Sequence, residues 1–116
     1  MYQYVINKIA QSPEMGDFSW DGALWSQASV AVVDHPAAPL AAPPPRTSVK
    51  LLHDDSALHG LFRVEDHSLL ARQTEYNSWT CFDSCVEFFF RPFSDRGYFN
   101  LEISASGAHL IYYVRD

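Results

Sequence analysis

The stretch SCVEFFFRPFSDRGYFNLEIS, residues 84–104, decides the fold. Polar and apolar side chains alternate in 84–91 and again in 98–104, and the intervening 92–97, PFSDRG, has the residues of a tight turn. Successive side chains of a β-strand point to opposite faces of the sheet. The stretch therefore predicts two antiparallel strands joined by a short turn.

The alternation also predicts which side chains of this hairpin share a face. One face carries two apolar trios, which we expect to meet the core together: Val86, Phe88 and Phe90, and Phe99, Leu101 and Ile103. The outer face would then carry Glu87, Tyr98, Asn100 and Glu102. Carboxylates and amides bind sugar hydroxyls, and aromatic rings stack on the apolar side of a pyranose, so this face is a candidate sugar site. An ordinary solvated sheet face has the same pattern.

Further strands are predicted on both sides of this hairpin. Residues 47–53 and 57–64 read as a second hairpin across the turn residues 53–56, and 108–114 as the last strand. Shorter strands are predicted at 30–33 and, as a first edge strand, at 1–10, and residues 17–28 are predicted to form a short helical turn or an irregular segment. Successive hairpins without a long helix predict an all-β fold, an antiparallel, jelly-roll-like β-sandwich, formed by one domain over residues 1–116.

A proline-rich segment, HPAAPLAAPPPR at 35–46, interrupts this pattern. Proline fixes φ and lacks an N–H donor, which excludes a regular helix or a central strand. We predict a stiff, exposed loop between two strands of one domain; the alternative is a proline-rich ligand for a partner protein.

Composition limits the partners and the cellular setting. The chain has 14 acidic and 8 basic residues, a net charge of −6, which argues against nucleic acid as a partner. No apolar run reaches the length of a membrane span, and the N-terminus lacks the pattern of a signal peptide, which leaves the location open. Cys81 and Cys85 are expected to be free thiols, with Cys85 packed against its neighbours.

Metal and catalytic sites are only weakly indicated. His53, His59 and Asp66 could form a metal site, and Asp54, Asp55 and Asp66 could bind calcium, although turn-forming acids are commoner. Glu87 and Glu102 could serve as the acid and base of a glycosidase, but the chain has no other catalytic motif.

Five segments in order resemble the family 9 carbohydrate-binding modules. They are DGxLWxxA at 21–28, TxVKLLxDDxAL at 47–58, FRVED at 62–66, WTCFDSCVEFF at 79–89 and GYFNLEI at 97–103. The resemblance implies an antiparallel β-sandwich, structural calcium, and a non-catalytic module of a carbohydrate-active protein. It also implies that Trp79 stacks on a sugar, that Glu87 binds it by hydrogen bonds, and that Asn100 and Glu102 add polar contacts.

The chain departs from the family pattern at three places. The spacing from Trp79 to Glu87 is longer than usual, so Phe82 could compete for the stacking position, and Asn100 stands where the family often has arginine. The sequence also ends before the strands that carry the second stacking tryptophan. We therefore expect a fragment of a longer protein, or self-association through an open sheet edge. A carbohydrate-binding module is predicted first, an interaction or structural domain without sugar binding second, and a glycoside-active enzyme third.

Overall fold

The structure is a computed structural model that describes residues 2–115, and strands are its main regular elements. Seven strands are present in these residues: β1 Asn7–Lys8, β2 Ala31–Val32, β3 Arg46–His53, β4 Leu58–Glu65, β5 Cys85–Phe90, β6 Tyr98–Ser104 and β7 His109–Val114. Two 3₁₀ turns, Trp25–Gln27 and Thr80–Phe82, are the helical elements of this part of the chain. Two largely antiparallel sheets with almost no helix confirm the all-β prediction and are compatible with a β-sandwich.

The chain divides into two compact units, one up to Asp66 and one from His67. The first unit contains β1 to β4 and the second contains β5 to β7. That residues 1–116 form a single domain stays a prediction.

The hairpin of β3 and β4 is the centre of the first unit. The two strands pair as the alternation predicted, and their register runs from Arg46 opposite Glu65 to His53 opposite Leu58. The turn closes on Asp54, whose Oδ1 accepts hydrogen bonds from the backbone N–H groups of Ser56 at 2.7 Å and Ala57 at 2.9 Å. Because these bonds satisfy turn donors, they set the register of the hairpin.

The core of the first unit lies on one side of β3. Leu52 is fully buried there in a cluster with Ile9, Trp25, Ala28 and Leu61. Trp25 belongs to the 3₁₀ turn, where a helical turn was predicted, and its indole N–H donates to the Asp17 carbonyl at 3.1 Å. The N-terminal prediction was only partly right, because just Asn7–Lys8 form a strand, and this strand pairs parallel with β3; Met1 lies outside the described residues.

The proline-rich segment is an exposed loop between β2 and β3, as predicted. Val32 pairs with Ser48, and the Val33 N–H donates to the Thr47 carbonyl at 3.0 Å, which closes the loop at its base. Whether it binds a partner stays an open prediction.

The second unit is a three-stranded antiparallel sheet in the order β5-β6-β7. Phe90 lies opposite Phe99 and Glu87 lies opposite Glu102, so the predicted hairpin and its division into two faces are confirmed. Gly97 directly precedes β6 and lies beside the end of β7. A Cβ atom at Gly97 would lie 1.8 Å from the Val114 carbonyl oxygen, so this approach of two backbones requires glycine.

The predicted burial of the two faces was wrong. Asn100, Glu102 and Ser104, expected on an outer face, are buried, whereas the apolar trios are only partly covered and Ile103 is 37% exposed. The cause is the segment of residues 73–82 before β5, called the covering segment below. It lies on the face of the sheet that carries these polar side chains. Thr80 in that segment donates its hydroxyl to Glu102, and Ser106 donates to the Gln73 carbonyl. Hydrogen bonds to this covering segment compensate for burying polar side chains.

Candidate functional site

The candidate site is the side of β5, β6 and β7 that carries Glu87, Asn100, Glu102 and Tyr112, called the polar face below. These residues share a side because Glu87 lies opposite Glu102 and Asn100 lies opposite Tyr112 in the strand registers. All of them belong to the second unit. The polar face is therefore built by consecutive antiparallel strands with a fixed register.

A buried hydrogen-bond network underlies the polar face. Glu102 is 4% exposed; its Oε1 accepts from Asn100 Nδ2 at 3.0 Å, and its Oε2 accepts from Thr80 Oγ1 at 2.9 Å. Asn100 Nδ2 also donates to the Tyr112 hydroxyl oxygen at 2.8 Å. Because Glu102 is satisfied by two donors of the protein, it positions Asn100 and is not a freely accessible hydrogen-bonding group.

Glu87 is the accessible carboxylate of the polar face. Partial burial and the facing Glu102 carboxylate raise the pKa of Glu87, while hydrogen bonding with Asn100 opposes that rise. A like charge and a lower dielectric both disfavour the ionised form. Glu87 is therefore the carboxylate of the polar face that a hydrogen-bond donor from outside can reach.

Two polar atoms beside Glu87 have unused hydrogen-bonding capacity. Asn100 is 1% exposed, and its Oδ1 is a buried oxygen without a hydrogen-bond partner among the described residues. The Tyr112 hydroxyl accepts from Asn100, which leaves its own proton available for a further acceptor. At its accessible surface the polar face thus offers an acceptor from Glu87 and a donor from Tyr112, whereas the Asn100 oxygen lies buried beneath them.

Aromatic rings lie along the same part of the chain. Trp79 is 68% exposed, and its ring centroid lies 6.3 Å from that of Phe82. Trp79 directly precedes Thr80, whose hydroxyl binds Glu102, so its backbone lies one residue from the buried network. A second pair is formed by Phe89 and Tyr98, with centroids 6.0 Å apart. Exposed rings next to polar groups are the components of a stacking site.

The structure brings together some of the predicted site residues. Glu87, Asn100 and Glu102 form one cluster, whereas Tyr98 lies against Phe89, and Trp79 belongs to the covering segment. Sequence reasoning missed Thr80 and Tyr112. Tyr112 could have been found by extending the alternation into β7, but no periodic pattern marks Thr80.

Acidic residues suggested for calcium have other roles in the first unit. The Asp54 carboxylate accepts from Ser12, Ser56 and His59, and these hydrogen bonds hold its pKa well below the usual range. Asp55 pairs with Lys8 at 2.5 Å. Calcium binding by these acids stays a prediction. In residues 2–115 no three His, Cys, Asp or Glu side chains are grouped as metal ligands.

The thiols behave as predicted. Cys81 and Cys85 are both free, with Cys81 exposed and Cys85 partly buried. Burial, followed by the negative charge of Glu87, raises the pKa of Cys85 to about 11.

These features define a small all-β binding module with a polar and aromatic sheet face. The family model for carbohydrate-binding family 9 matches residues 19–116, and the chain belongs to this family. It is therefore a carbohydrate-binding module, and domains of this family are non-catalytic. Neither the curated proteins nor the solved structures gave a significant match. Among the described residues, no helix has the length and apolar character needed to cross a bilayer.

Proposed function

We propose that the polar face binds a mono- or oligosaccharide by aromatic stacking and by hydrogen bonds to Glu87 and Tyr112. Trp79 is the stacking ring, with Phe82 beside it, and Tyr98 with Phe89 forms a second apolar surface. Glu102 and Thr80 hold Asn100 in place beneath the sugar. The module would act as an accessory part of a carbohydrate-active protein.

The observation that carries this proposal is the exposed Glu87 carboxylate, which shares the polar face with the available proton of the Tyr112 hydroxyl. A sugar hydroxyl can donate to the carboxylate, and a sugar oxygen can accept from Tyr112. Trp79 supports the same reading, because a large ring that is mostly exposed contributes little to folding.

The glycosidase alternative has less support. Glu102 is buried, and both of its carboxylate oxygens accept hydrogen bonds from the protein, so it is poorly placed to exchange protons with a substrate.

The test is calorimetric titration of the chain with a panel of mono- and oligosaccharides. Trp79→Ala is expected to weaken binding at least about tenfold, equivalent to about 1.4 kcal/mol. Tyr76→Ala is the matched control, since Tyr76 is also an exposed ring of the same segment, and its ring lies against His109. Phe82→Ala determines which ring of the pair stacks on the sugar.

The outcomes separate the two leading functions. Saturable binding that Trp79→Ala weakens and Tyr76→Ala retains supports the sugar site. A folded chain that binds no sugar of the panel contradicts the proposal and favours an interaction or structural domain. Equal binding by both variants would place the sugar elsewhere on the chain.

A further inference from the structure

Two exposed aromatic surfaces lie at different positions along the polar face. At the first position Trp79 is 68% exposed, and it directly precedes Thr80, whose hydroxyl binds Glu102 of β6. At the second position Phe89 is 56% exposed, and its ring centroid lies 6.0 Å from that of Tyr98. Exposed apolar surfaces that are bordered by polar groups are typical of ligand-binding sites.

The strands place the second surface on the same side of the sheet as the carboxylates. Phe89 lies two residues after Glu87 in β5, so both side chains point to this side. Tyr98 lies two residues before Asn100 in β6 and points the same way. Tyr98 and Glu102 are four residues apart in β6, which corresponds to about 13 Å along the strand. Because a single pyranose ring is shorter than this distance, one ring cannot contact both surfaces.

Accessible polar groups lie within this span. Glu87 is opposite Glu102 on one side of β6, and Tyr112 is opposite Asn100 on the other side. The Glu87 carboxylate can accept hydrogen bonds from sugar hydroxyls, and the Tyr112 hydroxyl can donate to a sugar oxygen. The polar face therefore combines hydrogen-bonding groups with aromatic rings along β6, which complements successive units of a glycan.

The covering segment determines the direction in which a ligand on this face extends. Hydrogen bonds hold the segment over the Ser104 end of β6, and Ser104 is 5% exposed there. Towards the other end of the face, Glu87 and Phe89 are both exposed. A ligand that stacks on Trp79 therefore lengthens away from the covering segment, towards Tyr98.

We infer that the polar face binds an extended oligosaccharide of about three or more sugar units, which runs along β6 and stacks on both aromatic surfaces. This inference rests on the proposed function. A disaccharide bound at Trp79 would leave Phe89 and Tyr98 in contact with water. A longer chain would cover these two rings, and the removal of their apolar surface from water would strengthen binding.

The experiment measures how the affinity of the full chain depends on the length of the sugar. Calorimetric titrations use cello-, xylo-, chito- and malto-oligosaccharides, each from the disaccharide to the hexasaccharide. In the series that binds, we expect the hexasaccharide to bind at least about tenfold more tightly than the disaccharide. The ratio of these two affinities is the readout, because it reports the contacts of the additional units.

Variants of Phe89 test whether the second aromatic surface causes the gain in affinity with length. Phe89→Ala should remove most of the gain, and Phe89→Leu should do the same, because leucine keeps an apolar side chain for folding but lacks a flat ring. Phe89→Tyr keeps a ring and should retain the gain. Phe93→Ala is the matched control, since Phe93 is 60% exposed in the turn between β5 and β6, where its ring lies against Arg96.

Either proposal can fail without being confused with the other. If disaccharides and hexasaccharides bind equally, the inference is overturned and the proposed function stands. A gain that survives in both Phe89→Ala and Phe89→Leu also overturns the inference, because the additional units would then bind elsewhere. A gain that Phe93→Ala removes to the same extent contradicts it as well. If no sugar binds the folded chain, both proposals are overturned.

Discussion

Thr80→Val is expected to destabilise the protein through one buried hydrogen bond. Thr80 is fully buried, and its hydroxyl donates to Glu102 Oε2 at 2.9 Å. Valine replaces the hydroxyl with a methyl group of similar size, so the variant leaves almost no cavity. It leaves a buried carboxylate oxygen without its donor.

The expected loss follows from the kind of bond that is removed. Hydrogen bonds to charged groups contribute about 1.5–3 kcal/mol to stability. Because Asn100 still donates to the other oxygen of Glu102, part of the carboxylate remains compensated. We therefore expect Thr80→Val to lower the free energy of unfolding by about 2 kcal/mol.

The measurement is urea unfolding followed by circular dichroism and tryptophan fluorescence. Thr80→Ser keeps the hydroxyl and removes one methyl group, so it should cost only about 0.8 kcal/mol. Thr74→Val is the surface control, because Thr74 is exposed and its bond to Glu75 is 3.4 Å long. A loss below about 0.5 kcal/mol in Thr80→Val, or a larger loss in Thr80→Ser, would refute the reasoning.

Three further predictions concern the core, the turn and the thiols. Leu52→Ala should cost about 2–5 kcal/mol in urea unfolding, because Leu52 is 0% exposed, whereas Leu58→Ala on the same hairpin should cost under about 1 kcal/mol; equal losses would contradict the described core. Asp54→Asn should lower the free energy of unfolding at neutral pH. The difference in this free energy between the variant and the natural protein should narrow as the pH falls below 3.8, the ordinary pKa of the carboxyl. A lowered pKa in the folded state gives stability that is present above the ordinary pKa and is lost as the pH falls towards the pKa of the folded state. A difference in the free energy of unfolding that does not change with pH would contradict this prediction. Iodoacetamide at about pH 8 should label Cys81 well before Cys85, because the pKa of Cys85 is raised to about 11 and only the thiolate reacts. Peptide mapping that finds Cys85 labelled first would contradict this prediction.

The alternation of side chains was a reliable guide to the hairpins. It predicted that Glu87, Asn100 and Glu102 share one face, and the register confirms this. Turn residues supported the pairing in the first hairpin, which Asp54 closes, and Gly97 allows the close approach of the chain before β6 to the end of β7. These are local properties, because the side-chain period of a strand depends only on its own backbone.

The sequence by itself determined the all-β class, the strand pairs and the membership of each face. Only the tertiary structure decided which face is buried. Alternation divides a strand into two sides but says nothing about what covers them. The polar side of β6 is buried because Thr80, twenty-two residues before Glu102, brings a hydroxyl to it, and such a contact depends on how distant segments meet. That contact converts Glu102 from an expected surface acid into the support for Asn100.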